Sequence, residues 1–217
     1  MIKAVIFDMD GVLIDTEKHL KVCWIQAARE LGYPFEEKHP LMLRSLAAEF
    51  ARPLMKEIFG EKFDFDKVRD RRKELMIKRL EEYGLEKKPG VDEILDFLRM
   101  SGIKTAVATA TEPVAAREYL ERIGIYDKLD YVVSAHNVAH GKPMPDVYLY
   151  ACEQVGEAPC NCIAVEDSPN GVKAAVSAGL NTVMVPDLTP ADDEIREKLF
   201  YYAESLDAFR VYIKGLL

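Results

Sequence analysis

KAVIFDMDGVLIDT, residues 3–16, begins as a buried strand and runs into two aspartates. Ala4 to Phe7 carry no polar side chain, as expected of a strand covered on both faces of a parallel sheet. Asp8 and Asp10 follow with one residue between them. In an extended backbone, side chains two apart point to the same face. Two carboxylates at roughly 6 Å repel by about 3 kcal/mol at an effective dielectric of about 20. The pair therefore calls for a cation, a shared proton or full solvation.

Four more runs have the same apolar, β-branched character: KTAVATA at 104–110, DYVVSA at 130–135, CIAVED at 162–167 and NTVMVP at 181–186. Helical segments separate them. Pro113 opens one that runs to Gly124, Asp146 opens another ending at Gly156, and Ser168 caps a third that Pro169 heads and Gly179 ends. This alternation predicts an α/β fold with a doubly wound, mainly parallel, Rossmann-like sheet. From about residue 16 to 84 the pattern is helical only. Leu20, Cys23, Trp24, Ala27 and Leu31 follow helical spacing until Gly32 and Pro34. Met76, Leu80 and Tyr83 form one stripe of a later helix, whose DRRKE run at 70–74 reads as a solvated face. EKKPG at 86–90 returns the chain to the alternating region. The expected organisation is a core formed by 1–15 and 85–217, with an all-helical module inserted at 16–84.

With 29 Lys plus Arg against 37 Asp plus Glu, the net charge of −8 gives no electrostatic case for binding nucleic acid or an anionic membrane. No apolar run reaches the length of a membrane span. Asp8 and Asp10 interrupt the first apolar stretch before a signal-peptide core forms, so a cytoplasmic location is expected. Cys23, Cys152, Cys160 and Cys162 match no zinc spacing and are expected as free thiols, the first two in the core. A monomer is favoured as the oligomeric state.

Ligands of open α/β sheets bind outside the carboxyl ends of the strands. The first strand ends in Asp8 and Asp10, the second in ATAT with Thr109 and Thr111. The third leads to Lys142, and the fourth ends in Glu166 and Asp167. Each of these has an ordinary structural explanation alone; together they describe a site. Asp8, Asp10 and Asp167 supply hard oxygen ligands suited to Mg²⁺, which would offset the repulsion of the aspartates. A carboxylate can accept a phosphoryl group covalently, and Mg²⁺ with Lys142 would screen its approach to a phosphate dianion. Thr109, ahead of a Pro-initiated helix, is placed to bond phosphate oxygens. Other motifs are excluded. Val12 and Leu13 stand where a calcium-binding loop needs a ligand and a glycine, and no phosphate-binding or dinucleotide glycine loop occurs. His136 and His140 lack the glutamate of a zinc-protease helix.

DMDGVLIDT, ATAT, HGKPMPD and EDSPNG, in this order, resemble the four motifs of the haloacid dehalogenase-like superfamily, in its β-phosphoglucomutase and phosphoglycolate phosphatase branch. The resemblance covers essentially the whole chain. It implies Asp8 as the nucleophile that forms an aspartyl-phosphate, and Asp10 as general acid/base that also gives its backbone carbonyl to Mg²⁺. It implies Thr109, with Ala110 beside it, holding the transferring phosphate, and Lys142 bridging Asp8 and that phosphate. Asp167 would ligate Mg²⁺ with help from Glu166. The insert is similar to the family's cap, from which Trp24 and Arg44 would face a small phosphorylated metabolite. True dehalogenases and phosphonoacetaldehyde hydrolases lack an aspartate equivalent to Asp10, which argues against both. A non-catalytic binding protein on this fold would be expected to have lost one of Asp8, Asp10, Lys142 or Asp167. The remaining alternative is a sugar phosphomutase. β-Phosphoglucomutases carry a cap histidine four residues before a tryptophan; here that residue is Leu20, and His19 is rotated by about 100° on the helix. Arg44 is only a loose counterpart of the mutase cap arginine. A Mg²⁺-dependent phosphatase is the expectation.

Overall fold

Ala4–Phe7 forms strand β1, buried at every residue, at the centre of a six-stranded sheet in the computed structural model, which describes residues 1–217. The other strands are β2 (Lys104–Thr109), β3 (Tyr131–Ser134), β4 (Cys162–Glu166), β5 (Asn181–Met184) and β6 (Tyr201–Tyr202). Their order is β3-β2-β1-β4-β5-β6, and every pairing is parallel. The chain builds outward from β1 on one side, then returns to place β4 on the other. β1 and β4 thus flank the point where strand order reverses, where open parallel sheets leave a crevice for ligands. The five strands expected from the sequence are present. β6 is two residues long at the sheet edge, too short to carry a periodicity.

Between β1 and β2 lie α1 (Glu17–Glu30), α2 (Lys38–Leu43), α3 (Ala48–Phe59), α4 (Phe65–Tyr83) and α5 (Val91–Met100). The first four pack around their own core of Ala27, Ala28, Phe35, Leu43, Met55, Phe63 and Val68. Phe35 stacks on Phe59 at 4.9 Å and on Phe63 at 5.9 Å. Such pairs add about 0.5–1.5 kcal/mol each beyond the area they bury. Asp64 caps α4 by accepting from the Lys67 amide at 3.0 Å. Met76 and Leu80 of the expected α4 stripe are buried, but Tyr83 is 55% exposed under the Arg79 guanidinium. The helix has turned its last residue out of the apolar seam.

The remaining helices are α6 (Pro113–Arg122), α7 (Asp146–Val155), α8 (Pro169–Ser177), α9 (Asp193–Lys198) and α10 (Leu206–Lys214). Alternation along the strands sorts their side chains between two layers. Val5, Phe7, Val107, Ile163 and Val165 meet α5, α6 and α10. Ala4, Ile6, Ala106, Ala108 and Ala164 meet α7 and α8. The alanine-rich face leaves room for Tyr148 of α7, which is fully buried there. No helix is long and apolar enough to cross a membrane.

The four-helix insert joins the sheet layer through two chain segments that pair with each other. Asp15 donates to Glu86 O at 2.9 Å, Lys88 donates to Leu13 O at 3.0 Å, and Ile14 bridges Lys87. Elsewhere the insert meets the sheet layer through an apolar seam of Cys23, Met76 and Leu80 against Tyr119 of α6, and through polar contacts with the strand-end loops. Ala47 donates to Lys142 O at 2.9 Å, and the Asn170 amide donates to Arg44 O at 2.9 Å. Gly141 passes so close to Ala47 that a Cβ would lie 2.6 Å from the Ala47 Cβ.

Candidate active site

The loop after β1 is compact. Leu13 and Ile14 both donate to Met9 O, at 2.9 and 3.0 Å, and Gly11 donates to Ile14 O at 2.8 Å. Gly11 has φ +87°, and a Cβ there would collide with the Asp167 carboxylate. Glycine is required by both the backbone and the neighbour. The turn separates the two aspartates. Asp8 is buried between β1 and β4, while Asp10 is half-buried at the cavity edge.

Lys142, with no exposed surface, donates to Asp8 Oδ1 at 2.5 Å, to Glu166 Oε1 at 2.6 Å and to Ala108 O at 2.9 Å. Its three donors are all used, so the ammonium is fixed. Burial alone would lower its pKa, but Asp8 and Glu166 outweigh that and hold it above the ordinary lysine value. Burial pushes the Asp8 carboxyl up to about 7, although Lys142 opposes the shift. The Tyr148 hydroxyl donates to Glu166 Oε1 at 2.6 Å. Gly171, at the start of α8, lies where a Cβ would collide with the Glu166 carboxylate.

Asp8, Glu166 and Asp167 each offer a carboxylate oxygen, and these oxygens lie within 4.8 Å of one another. Asp8 Oδ2 and Asp167 Oδ1 are buried without any hydrogen-bond partner. Burial holds Asp167 well above the usual carboxylate range, and Arg44 only partly offsets it. The Arg44 guanidinium pairs with Asp167 Oδ2 and, at 3.3 Å, with Glu17. It also donates to Thr189 Oγ1 at 3.0 Å. Burial pushes Glu17 to about 8 against the pull of Arg44. Two fixed cations thus face the four carboxylates of Asp8, Glu17, Glu166 and Asp167. All-oxygen donors, an excess of negative charge and the orphaned Asp167 Oδ1 fit a small divalent cation such as Mg²⁺.

Asp10 stands apart from the cluster. Its Oδ1 accepts from Thr16 Oγ1 at 2.5 Å and its Oδ2 from Thr111 Oγ1 at 2.9 Å. The hydroxyl of Thr109 is buried and accepts from the Thr111 amide at 3.0 Å, which leaves its own proton to donate elsewhere. Ala110 and Thr111 line the adjoining cavity, which has a volume of about 680 Å³ and is closed by α1 and α4 of the insert. Trp24 and Leu20 line it from α1. His19 does not: it is buried, and its Nδ1 accepts from the Arg79 guanidinium at 2.9 Å. Arg44 lines the same cavity but is almost fully buried, with its guanidinium held against Asp167.

The sequence reading passed over Thr16, Glu17, Tyr148 and Arg72. Thr16 closes the first motif and Glu17 follows it, but only the turn at Gly11 brings them back to Asp10 and Arg44. Tyr148 follows a helical apolar pattern, indistinguishable from core. The DRRKE run, read as a solvated face, is split. Arg71 points outward and pairs with Glu30 at 2.6 Å and Glu74 at 2.7 Å, while Arg72 turns into the cavity wall. Successive helical residues differ by about 100°, so one charge run serves two faces.

Parallel strands ending in a buried aspartate–lysine–carboxylate cluster beneath a helical insert define an α/β protein with a ligand site at the strand-order reversal. The chain belongs to the haloacid dehalogenase-like hydrolase family, whose family model matches residues 2–179. It is 34% identical over 181 residues to the phosphorylated carbohydrates phosphatase of Thermotoga maritima, covering 83% of each chain. It is 30% identical over 191 residues to the β-phosphoglucomutase of Bacillus subtilis, covering 84% of this chain and 83% of that one. The crystal structure of β-phosphoglucomutase from Clostridium difficile superimposes with a TM-score of 0.79 at 25% identity, over 98% of this chain and 99% of that one.

Proposed function

We propose that this hydrolase is a Mg²⁺-dependent phosphatase of small phosphorylated metabolites, working through an aspartyl-phosphate on Asp8. The observation that carries the reading is the state of the Asp8 carboxylate. Lys142 clamps Oδ1 at 2.5 Å, and Oδ2 is buried with no partner. That free oxygen is the attacking atom, and Lys142 both orients the group and screens the incoming phosphate charge.

In the first half-reaction Oδ2 of Asp8 bonds to phosphorus as the ester P–O bond breaks. Protonated Asp10 gives its proton to the departing alkoxide, which leaves as an alcohol. In the second, water attacks phosphorus, Asp10 takes its proton, and the P–O bond to Asp8 breaks to release inorganic phosphate. The hydroxyls of Thr16 and Thr111 fix both Asp10 oxygens for these transfers. Thr109 and the backbone at Ala110 hold the transferring phosphate at the end of β2. Asp8 and Asp167, with Glu166 and the backbone carbonyl of Asp10, would hold Mg²⁺, which supplies charge neutralisation to the phosphoryl oxygens. Residues 16–84 act as a cap hinged on the paired segments around Leu13–Asp15 and Glu86–Lys88.

A mutase must keep its phospho-enzyme from water and hold the sugar in two orientations. His19 is committed to Arg79, and the cavity position one residue on is the apolar Leu20. These observations favour transfer to water. The test is phosphate release across sugar phosphates, phosphoglycolate, nucleotides and glycerol phosphates, with Mg²⁺ and with chelator. A parallel incubation with β-glucose 1-phosphate and glucose 1,6-bisphosphate follows glucose 6-phosphate. Rapid glucose 6-phosphate formation with little free phosphate would reverse the preference, and full activity after chelation would overturn the metal assignment.

A further inference from the structure

The arginines of the insert differ in one respect. Arg44 pairs with Asp167 and Glu17, Arg52 with Asp66 at 2.8 Å, and Arg71 with Glu30 and Glu74. Arg29 and Arg79 have neutral acceptors, Phe35 O at 3.1 Å and His19 Nδ1 at 2.9 Å, whereas the Arg72 guanidinium has neither a carboxylate nor any other hydrogen-bond partner, and its Nε is buried. It lies in the wall of the 680 Å³ cavity, its guanidinium 5.1 Å from the centroid of the Trp24 ring. Arg69, three residues earlier on the same wall, keeps one nitrogen on Asp66 at 3.0 Å, and its Nε is also buried and unpartnered. Buried polar groups in native structures are almost always satisfied, and a charged donor left bare is costly. A guanidinium stays protonated even where burial lowers its pKa, as it does here. Trp24 offers a π-face but no hydrogen-bond acceptor in the ring plane of the guanidinium. The cavity is therefore bipolar. Asp8 and Asp10 lie at its sheet edge, and unmatched guanidinium donors lie on α4 of the insert.

We propose that the substrate carries a second anionic group, a carboxylate or a second phosphate, and that Arg72 receives it with Arg69 in support. This rests on the phosphatase reading of the same site. The ester phosphate meets Asp8 and Lys142, and the second anion supplies the acceptors that the α4 wall lacks. A planar guanidinium suits either group, since both present paired oxygens. Selection would then act through binding, because this contact is remote from the reacting phosphorus.

The experiment compares kcat/KM with Mg²⁺ for a neutral-tailed sugar monophosphate, the matching phospho-sugar acid and the matching bisphosphate. One or both doubly anionic esters should exceed the neutral ester by about 10–100-fold, the worth of a charge-assisted hydrogen bond, with the gain in KM. Arg72→Gln should collapse that ratio towards one, and Arg72→Lys should restore part of it. The preferred arm identifies the second anion as carboxylate or phosphate. Equal kcat/KM for neutral and doubly anionic esters would overturn the proposal. So would a uniform loss in kcat across all esters in Arg72→Gln, which would place Arg72 with the reacting groups or the fold. Trp24 is the chain's single tryptophan, and its emission gives a readout that needs no turnover. A non-hydrolysable bisphosphonate and a phosphonate bearing a carboxylate should quench it saturably, with Kd weakened by Arg72→Gln. Quenching lost in the variant, without turnover of any ester, would keep the anion wall and overturn only the phosphatase reading. Neither turnover nor variant-sensitive quenching would overturn both.

Discussion

Asp8 is where the chemistry of this protein is most exposed to a single change. Asp8→Asn keeps an oxygen for the Lys142 ammonium but removes the attacking charge. Turnover should fall by about 10⁴-fold or more, the scale seen when a nucleophilic unit loses one member. The fold should survive, because the substitution neutralises a carboxyl that burial already pushes up to about 7. Paired phosphate-release assays and thermal melts check both parts, and near-normal turnover would remove Asp8 from its role. Tyr148→Phe acts one contact away. It takes from Glu166 a hydroxyl donor at 2.6 Å in a fully buried site, leaving the carboxylate with Lys142 and its own loop. The expected cost is about 1.5–3 kcal/mol of stability, read from denaturant midpoints at constant m-value. No residue type in the motif containing Glu166 points to Tyr148. Their meeting depends on α7 lying over the alanine-rich face of the sheet.

At the scale of elements, the two turns that carry the carboxylates are the sensitive places. Gly11→Ala should strain a backbone at φ +87° and push the new methyl into Asp167. Left-handed strain alone costs about 1–3 kcal/mol, and the displaced Asp167 should also weaken Mg²⁺ binding, measurable as a raised metal concentration for half-activity. A variant with unaltered metal dependence and melting would show that the loop relaxes. α8 begins on a capped turn in which Ser168 Oγ accepts from the Gly171 amide at 3.1 Å. Ser168→Ala should cost about 1 kcal/mol, with the larger effect on stability and the smaller on chemistry. Helices α6, α7 and α8 start where Pro113, Asp146 and Pro169 announce them, because caps and first-turn residues act locally. The inward turn of Arg72 on α4 is the opposite case. A run of like charge states only that a helix is polar there, and the neighbouring α1 decides which residues meet solvent.

For the whole molecule, the insert and the sheet layer respond to different variables. His19 and His39 are buried in the insert, and burial holds both imidazoles below their ordinary pKa of 6.5. The unfolded chain therefore binds more protons than the folded one as pH drops below that value. This share of the stability is complete above pH 6.5 and is lost as pH falls towards the folded-state values. Melting temperatures of wild type and His39→Gln measured from pH 8 to pH 5.5 isolate this share by difference: the variant should lose less, or gain more, on acidification, because the raised Asp8 and Glu17 carboxyls contribute equally to both. A slope unchanged by the substitution would assign the acid sensitivity to other groups. The sheet layer should respond instead to metal. Chelation should abolish phosphate release and Mg²⁺ should restore it, whereas Ca²⁺ should serve poorly because its longer bonds and looser geometry misplace the phosphate.

The sequence by itself determined the strand–helix alternation, the helical insert after β1, and the order in which Asp8, Thr109, Lys142, Glu166 and Asp167 reach strand ends. Those features follow from local rules: the period of apolar residues, the chemistry of caps and glycines, and the parallel sheet's habit of gathering strand ends at one edge. Only the tertiary structure decided which oxygens are free. Asp10 turns to Thr16 and Thr111, Arg44 sinks against Asp167 and Glu17, and Tyr148 reaches Glu166 across the sheet. Each of these pairings, apart from the Thr16 contact, joins residues far apart in the chain. Whether a buried charge is matched depends on what packs against it, and nearest neighbours in the chain carry little of that information. Arg72 and its unfilled donors are visible only once the α4 wall is in place.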